Sequence, residues 1–291
     1  MDEDLRLRIQ VVSDWVGLIK GLTRLEDGNW NSMFADLRLL ATNYILRRQL
    51  ESLDAALLLA QNDFGHLAVG LVRPALDELL WLSWVMDLPT KTAQSLLLAL
   101  GRSDTSRSLI AQRSYVGDDA MSDLWYPVAF LDSVASGLKE IDQNIVEVRE
   151  ELGWAGGKAP SAKWVAEQCG ELELYEYLHS ATSRALHFSM GEVMRNAWGK
   201  PGGILTTLKP EFRSYRAAFA LSELPRLFMQ TTAVTSRIFD GCGVTSDPDV
   251  DGAAVIAAVE RFMALGRIPL VHAHEWNLTP PEPLTFRDPT P

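Results

Sequence analysis

Apolar residues in this chain recur every three or four positions almost from end to end, and no useful length of it alternates in the two-residue rhythm of a half-buried strand. That periodicity restricts the fold to packed helices. Leu5, Ile9, Val12, Val16 and Ile19 mark a first amphipathic helix. "LEDGNWNS" (25–32) interrupts it, and Asn31 or Ser32 is placed to cap a second helix over about 33–61. Further helices are predicted over about 64–86, from Thr90 or Thr92 to about 116 with an interruption near Gly101, and over about 124–152. A short one around Trp164 follows, then 171–198, 211–239 and 250–265. The expectation is an all-α bundle of eight or nine helices, a single domain over residues 1–266. A tail over 267–291 follows, kept extended or disordered by five prolines after His272.

Charge and cysteine usage narrow the function classes. Lys and Arg number 27 against 38 Asp and Glu, a net charge of −11. Extended wrapping of DNA needs a positive field, which this balance opposes, while leaving room for a small basic pocket. Cys169 and Cys242 have no Cys-x-x-Cys or Cys/His spacing, so neither a disulfide framework nor a zinc site is expected, and a reducing cytoplasm fits. The acidic opening "MDEDLRLRIQ" lacks the cationic and apolar regions of a signal peptide. Apolar runs such as "LLWLSWVM" (79–86) fall short of the ~20 residues of a membrane span. Nine tryptophans and several apolar helix faces predict a homodimer.

Three motif fragments fail on their spacing. "DPDVDG" (247–252) starts like a calcium loop, but its twelfth position is Ala258 and Glu260 comes two residues late. It reads instead as a helix start with Asp247 as cap. "GWAGGK" (153–158) has Leu152 where a phosphate loop has its first glycine and Ala159 in place of Ser or Thr. "EYLH" (176–179) is half of a di-metal Glu-x-x-His pair with no second half. No metal or cofactor is expected.

Two helices carry the chemistry. In "YEYLHSATSRALHFSMGEVMR" (175–195), Tyr175, Leu178, Ala185, Leu186 and Val193 share the core-facing arc, with His179 at its edge. Glu176, Ser180, Arg184, His187 and Gly191 line the opposite side. Arg184 is suited to hold an anion, and His187 titrates near neutrality. In the 64–86 helix, Pro74 predicts a kink near Gly70 to Arg73. His66, Gly70, Arg73, Asp77 and Trp84 share one face there, and Arg73 and Asp77 stand at the i,i+4 pairing distance. Glu78 falls among Leu67, Leu71, Ala75, Leu82 and Val85, so it needs a partner, and Arg184 is the expected one.

"LAVGLVRPALDELLWLSWVMD" followed about a hundred residues later by "LYEYLHSATSRALHFS" resembles a set of uncharacterised bacterial helical proteins. These share an Arg-x4-Glu helix and a late Tyr-x-x-Leu-Ser…His helix. Arg73 and Glu78 match the first pattern, and Tyr175, Leu178 and His187 match the second, over roughly residues 35–200. More distantly the layout resembles HEPN-type bundles, many of them prokaryotic ribonucleases or nucleotidyl-transfer partners of toxin and antiviral systems. Their signature is an Arg followed four to six residues later by His. Here two residues separate Arg184 from His187 and Ala185 follows the arginine, so the resemblance carries the fold further than the nuclease chemistry. "RIPLVH" (267–272) has the spacing, but with Pro269 inside it and the tail around it.

Two functional expectations follow. In one, the chain is an RNA- or nucleotide-directed effector of a prokaryotic stress or antiviral system, whose local pocket gathers Arg73, Glu78, Arg184 and His187. There the histidine is acid/base and the arginines clamp phosphate. In the other it is a non-catalytic helical protein–protein interaction module in which those residues lock the bundle.

Overall fold

The structure, a computed structural model, describes residues 3–22, 24–25, 36–124, 126–197, 212–241, 243–245, 249–269 and 271. Among them it is an all-α bundle of ten helices: α1 (Glu3–Leu22), α2 (Leu37–Gln61), α3 (Val69–Asp87), α4 (Thr90–Asp123), α5 (Val128–Leu152), α6 (Ala162–Cys169), α7 (Leu172–Leu186), α8 (Met190–Ala197), α9 (Arg213–Thr235) and α10 (Gly252–Ala264). Two 3₁₀ segments, Gly65–Ala68 and Ser236–Gly241, extend α3 and α9. Arg24–Leu25 pairs antiparallel with Val244–Thr245 in a two-residue bridge.

Helix α9 is the axis of the bundle. It is buried from Arg216 to Pro225 on all sides and packs against α1, α2, α3 and the first 3₁₀ turn. Beside it the Trp15 indole, fully buried on α1, meets Phe228 edge-on at 5.9 Å and stacks on Phe262 of α10 at 6.0 Å. A second aromatic knot holds the middle of the chain to α3. Trp84 contacts Trp81 at 5.4 Å, Trp164 of α6 at 5.2 Å and Trp154 of the α5–α6 loop at 6.4 Å. One apolar cluster runs through all of these, from Leu5 to Phe262. Arg8 closes the seam between α1 and the end of α10 by donating to the carbonyls of Leu265 (2.8 Å) and Gly266 (3.3 Å). That satisfies acceptors a helix end leaves free.

Several boundaries differ from the sequence expectation, each for a local reason. Asp36 caps α2, accepting from the Arg38 N–H at 3.0 Å; Asn31 and Ser32 lie outside the described residues. Asp251 caps α10, and Asp247 lies outside the described residues. Gly101 does not interrupt α4: an interior glycine costs about 1 kcal/mol, which the packing of Leu96, Ala99 and Ser103 offsets. The break in α4 falls instead at Gly117, whose φ of 84° and ψ of 165° suit glycine alone. Gly70 to Arg73, where a kink is expected, lie within α3, which runs through Pro74; the turn before it, Gly65–Ala68, is 3₁₀. The long helix expected over 171–198 divides into α7 and α8 at His187, Phe188 and Ser189, three weak helix formers in succession.

Helices α4 and α5 pack on one another as a long antiparallel hairpin. Its base joins the core through Leu96, Ala99, Ile145 and Val148. No helix among the described residues is long and apolar enough to cross a membrane. The tail from 272 onward lies outside the described residues, His272 of "RIPLVH" included.

Candidate functional site

Of the four residues singled out from the sequence, Arg73 and Glu78 are held on different sides of α3. Five residues turn a helix by about 140°, so the two side chains meet different neighbours. Arg73 faces α7: its Nε donates to Asp77 Oδ2 at 2.8 Å and its guanidinium lies 5.8 Å from the centre of the Tyr175 ring. The expected i,i+4 pair is therefore present. Glu78 faces α2. Arg48 Nε lies 3.1 Å from Oε1, and Gln49 Nε2 donates to Oε2 at 3.2 Å. The Arg48 contact has the distance of an ion pair without the alignment of a hydrogen bond, since Oε1 has no hydrogen-bond donor among the described residues. Burial pushes the Glu78 carboxyl above its ordinary value, and the Arg48 charge and the Gln49 hydrogen bond oppose that rise. Arg48, on α2, thus stands where Arg184 was expected, because α2 and not α7 covers this face.

Arg184 and His187 sit at the α7–α8 corner, and both are exposed. Arg184, in the last turn of α7, makes no hydrogen bond or ion pair among the described residues; its Nη1 lies 3.9 Å from where a Cβ on Gly191 would stand. His187 has left the helix, with φ of −119° and ψ of 156°, and its N–H donates to the Ser183 carbonyl at 3.1 Å as a C-terminal cap. Leu186 and Val193, expected in the core, are exposed: Leu186 is the last residue of α7, where the helix ends, and the break at His187 turns Val193 away from the earlier face. Phe188 is 90% exposed. His179 is half-buried with its ring 4.7 Å from that of Tyr175, at the edge of the core as expected. No hydrogen bond or ion pair among the described residues joins Arg184 or His187 to Arg73 or Glu78.

What the fold does gather at this corner is a second set. The 3₁₀ turn before α3 presses on α9 so closely that a Cβ on Gly65 would lie 2.5 Å from the Ala217 Cβ. His66, the next residue, is buried at 8% exposure, within range of the Arg213 and Arg216 charges of the first turn of α9. Glu192 of α8 forms a largely buried ion pair with Arg216. His66 Nδ1 and Arg213 Nε are buried without hydrogen-bond partners among the described residues. Burial pushes the His66 imidazole pKa down, and the charges of Arg213 and Arg216 push the same way against Glu192, so His66 is neutral at neutral pH. The sequence placed His66 on the face of Gly70 and Arg73; the 3₁₀ turn carries it to α9. The one local signal for the set was the Arg-x-x-Arg spacing of Arg213 and Arg216, which puts both on one side of a helix.

A cavity of about 360 Å³ lies elsewhere, between the ends of α3, α6 and α9, lined by Met86, Asp87, Cys169, Glu171 and Arg237 among others. Arg237 Nη2 spans its side to Asp87 Oδ1 at 3.1 Å. The Cys169 thiol points to the Leu80 carbonyl at 3.4 Å and is pushed up to about 11 by burial and by the Asp87 and Glu171 charges. It is a protonated, unreactive thiol at neutral pH. Among the described residues no three His, Cys, Asp or Glu side chains gather as a metal would require.

Comparison with known proteins finds no matching family model, no matching curated protein and no matching solved structure.

Proposed function

We propose that this chain is a cytoplasmic RNA- or nucleotide-directed effector on a HEPN-like helical core, with its ligand at the α7–α8 corner. The observation that carries this reading is Arg184: an exposed arginine free of carboxylate partners among the described residues, three positions from an exposed histidine, on a chain of net charge −11. Arg184 offers a planar fork of donors to a phosphate, and His187 supplies an imidazole as acid or base. Arg73 and Glu78 act behind them, holding α7 and α2 against α3. The apolar residues beside the pair, Leu186, Phe188 and Met190, are exposed and give a homodimer its contact surface. Sedimentation of wild type and of Phe188→Ser tests that dimer, which is lost in the variant. The activity is tested by RNA cleavage with wild type, His187→Ala and Arg184→Ala at matched folding. Wild-type cleavage lost in both variants supports the reading, and equal cleavage in all three, or none in any, sinks it.

The second reading, a non-catalytic helical interaction module, is favoured by the outer end of the α4–α5 hairpin. Tyr115 is 91% exposed there, Tyr126 and Phe130 stack at 6.3 Å, and Asp119 and Asp123 are exposed on the same tip, while Asp118 and Asp132 pair with Arg113. Such a tip fits a basic, apolar helix. Binding of a basic amphipathic peptide that Tyr115→Ala weakens, with no RNA cleavage by wild type, selects this reading over the first.

A further inference from the structure

His66 lies where the 3₁₀ turn before α3 is seated on α9 at Ala217, one helical turn after Arg213, and within range of the Arg213 charge. Their orphaned atoms are both hydrogen-bond donors or able to become so: Nε–H of a guanidinium, and Nδ1 of a histidine 8% exposed. Buried polar atoms are nearly always paired, so two such atoms at one junction point to a missing acceptor. The neighbouring groups define its charge. Arg216 is already committed to Glu192, while Arg213 has no ion pair among the described residues. Arg213 is the first residue of a 23-residue helix, and Phe212 at its cap position supplies no side-chain hydrogen bond. The positive end of the α9 dipole therefore falls on the same spot.

We propose that His66 and Arg213 form an oxyanion site at the start of α9 that takes the phosphate group of a nucleotide or RNA end. One phosphate oxygen accepts from Arg213 Nε–H and a second from the Nδ1–H tautomer of neutral His66, while the helix end faces the charge. Glu192 holds Arg216 in an ion pair, so Arg213 is the arginine left to the phosphate. The assignment rests on the effector reading only for the source of the phosphate; the oxyanion site stands or falls with inorganic phosphate alone.

The test follows the imidazole signal that His66→Gln removes from the NMR spectrum of the full chain. Inorganic phosphate and a nucleoside 5′-monophosphate are each titrated against it, with the unphosphorylated nucleoside as a third arm. Both phosphates shift the signal and the nucleoside does not. Arg213→Gln weakens phosphate binding about tenfold, as loss of one charge-assisted hydrogen bond requires. Arg213→Lys, which keeps the charge without the Nε donor, also weakens it and covers the case in which the glutamine variant misfolds. Arg102→Gln, an exposed charge loss on α4, leaves the affinity unchanged. Tighter binding of the monophosphate than of inorganic phosphate assigns the site to nucleotides, and the reverse assigns it to free phosphate. If neither phosphate moves the His66 signal, or if both Arg213 variants bind like wild type, the site does not exist. Phosphate binding together with absent RNA cleavage keeps the site and removes the effector.

Discussion

Replacing Gly65 by alanine puts a methyl carbon 2.5 Å from the Ala217 Cβ, and the turn has no room to retreat. Ala60 stands on its other side, with Cα at 3.0 Å and Cβ at 3.1 Å from the same point. Carbon atoms pack at about 3.5–4.0 Å, so the 3₁₀ turn and α9 must separate by about an ångström against the helix behind them. Overpacking of this kind costs about 1–3 kcal/mol. An unfolding entropy of about 2.1 cal/mol/K per residue makes each kcal/mol worth about 2 °C in a chain of this length. Gly65→Ala should therefore lower the melting temperature by about 2–6 °C. Gly101→Ala is the control: a Cβ there meets nothing within 4 Å, and an alanine in a helix interior gains about 0.5–1 kcal/mol over glycine. Its midpoint should rise by about 1–2 °C. Calorimetry and urea titration of the two variants read both signs. A Gly65→Ala midpoint within about 1 °C of wild type, or one that rises with Gly101→Ala, refutes the seating of this turn and with it the position of His66.

Glu78→Gln should stabilise the protein at neutral pH. The folded pKa of Glu78 is raised above its usual 4.5, so the native state binds that proton more tightly than the unfolded chain. The stability tied to that proton is full below pH 4.5 and is lost as pH rises through the folded value, so the gain from glutamine shrinks toward zero on acidification. Urea titrations at the two ends of that range check it, and a variant less stable than wild type at neutral pH contradicts it. Trp84→Ala removes the ring that touches Trp81, Trp154 and Trp164 and should cost about 3–5 kcal/mol, seen as an early thermal midpoint and altered tryptophan fluorescence. An unshifted midpoint would show that the knot holds nothing together. In a Cys242→Ser background, iodoacetamide should modify Cys169 slowly at pH 8 and faster as pH approaches 11, with urea abolishing the protection. Labelling at pH 8 as fast as in urea counts against its burial.

How much of this was legible beforehand depends on the range of each interaction. The helical class, the Arg73–Asp77 pair and the half-buried edge position of His179 follow from residues a few positions apart, where a 3.6-residue turn sets the geometry whatever surrounds it. The partner of Glu78 did not follow. Its burial was readable from the apolar stripe, but whether Arg48 or Arg184 reached it depended on which helix covers that face of α3. His187 was placed on a helical face that ends one residue before it, because the balance between extending α7 and turning into α8 is a few weak propensities set by how α8 packs. The junction of His66 and Arg213 lay furthest from view: about 150 residues separate them, and only the docking of a 3₁₀ turn on α9 brings them together. The amino-acid sequence determined on its own the helical class and, within an unbroken helix, which side chains share a face. The tertiary structure decided which faces meet, because that choice is made by shape and burial across the whole bundle and leaves no trace in local spacing.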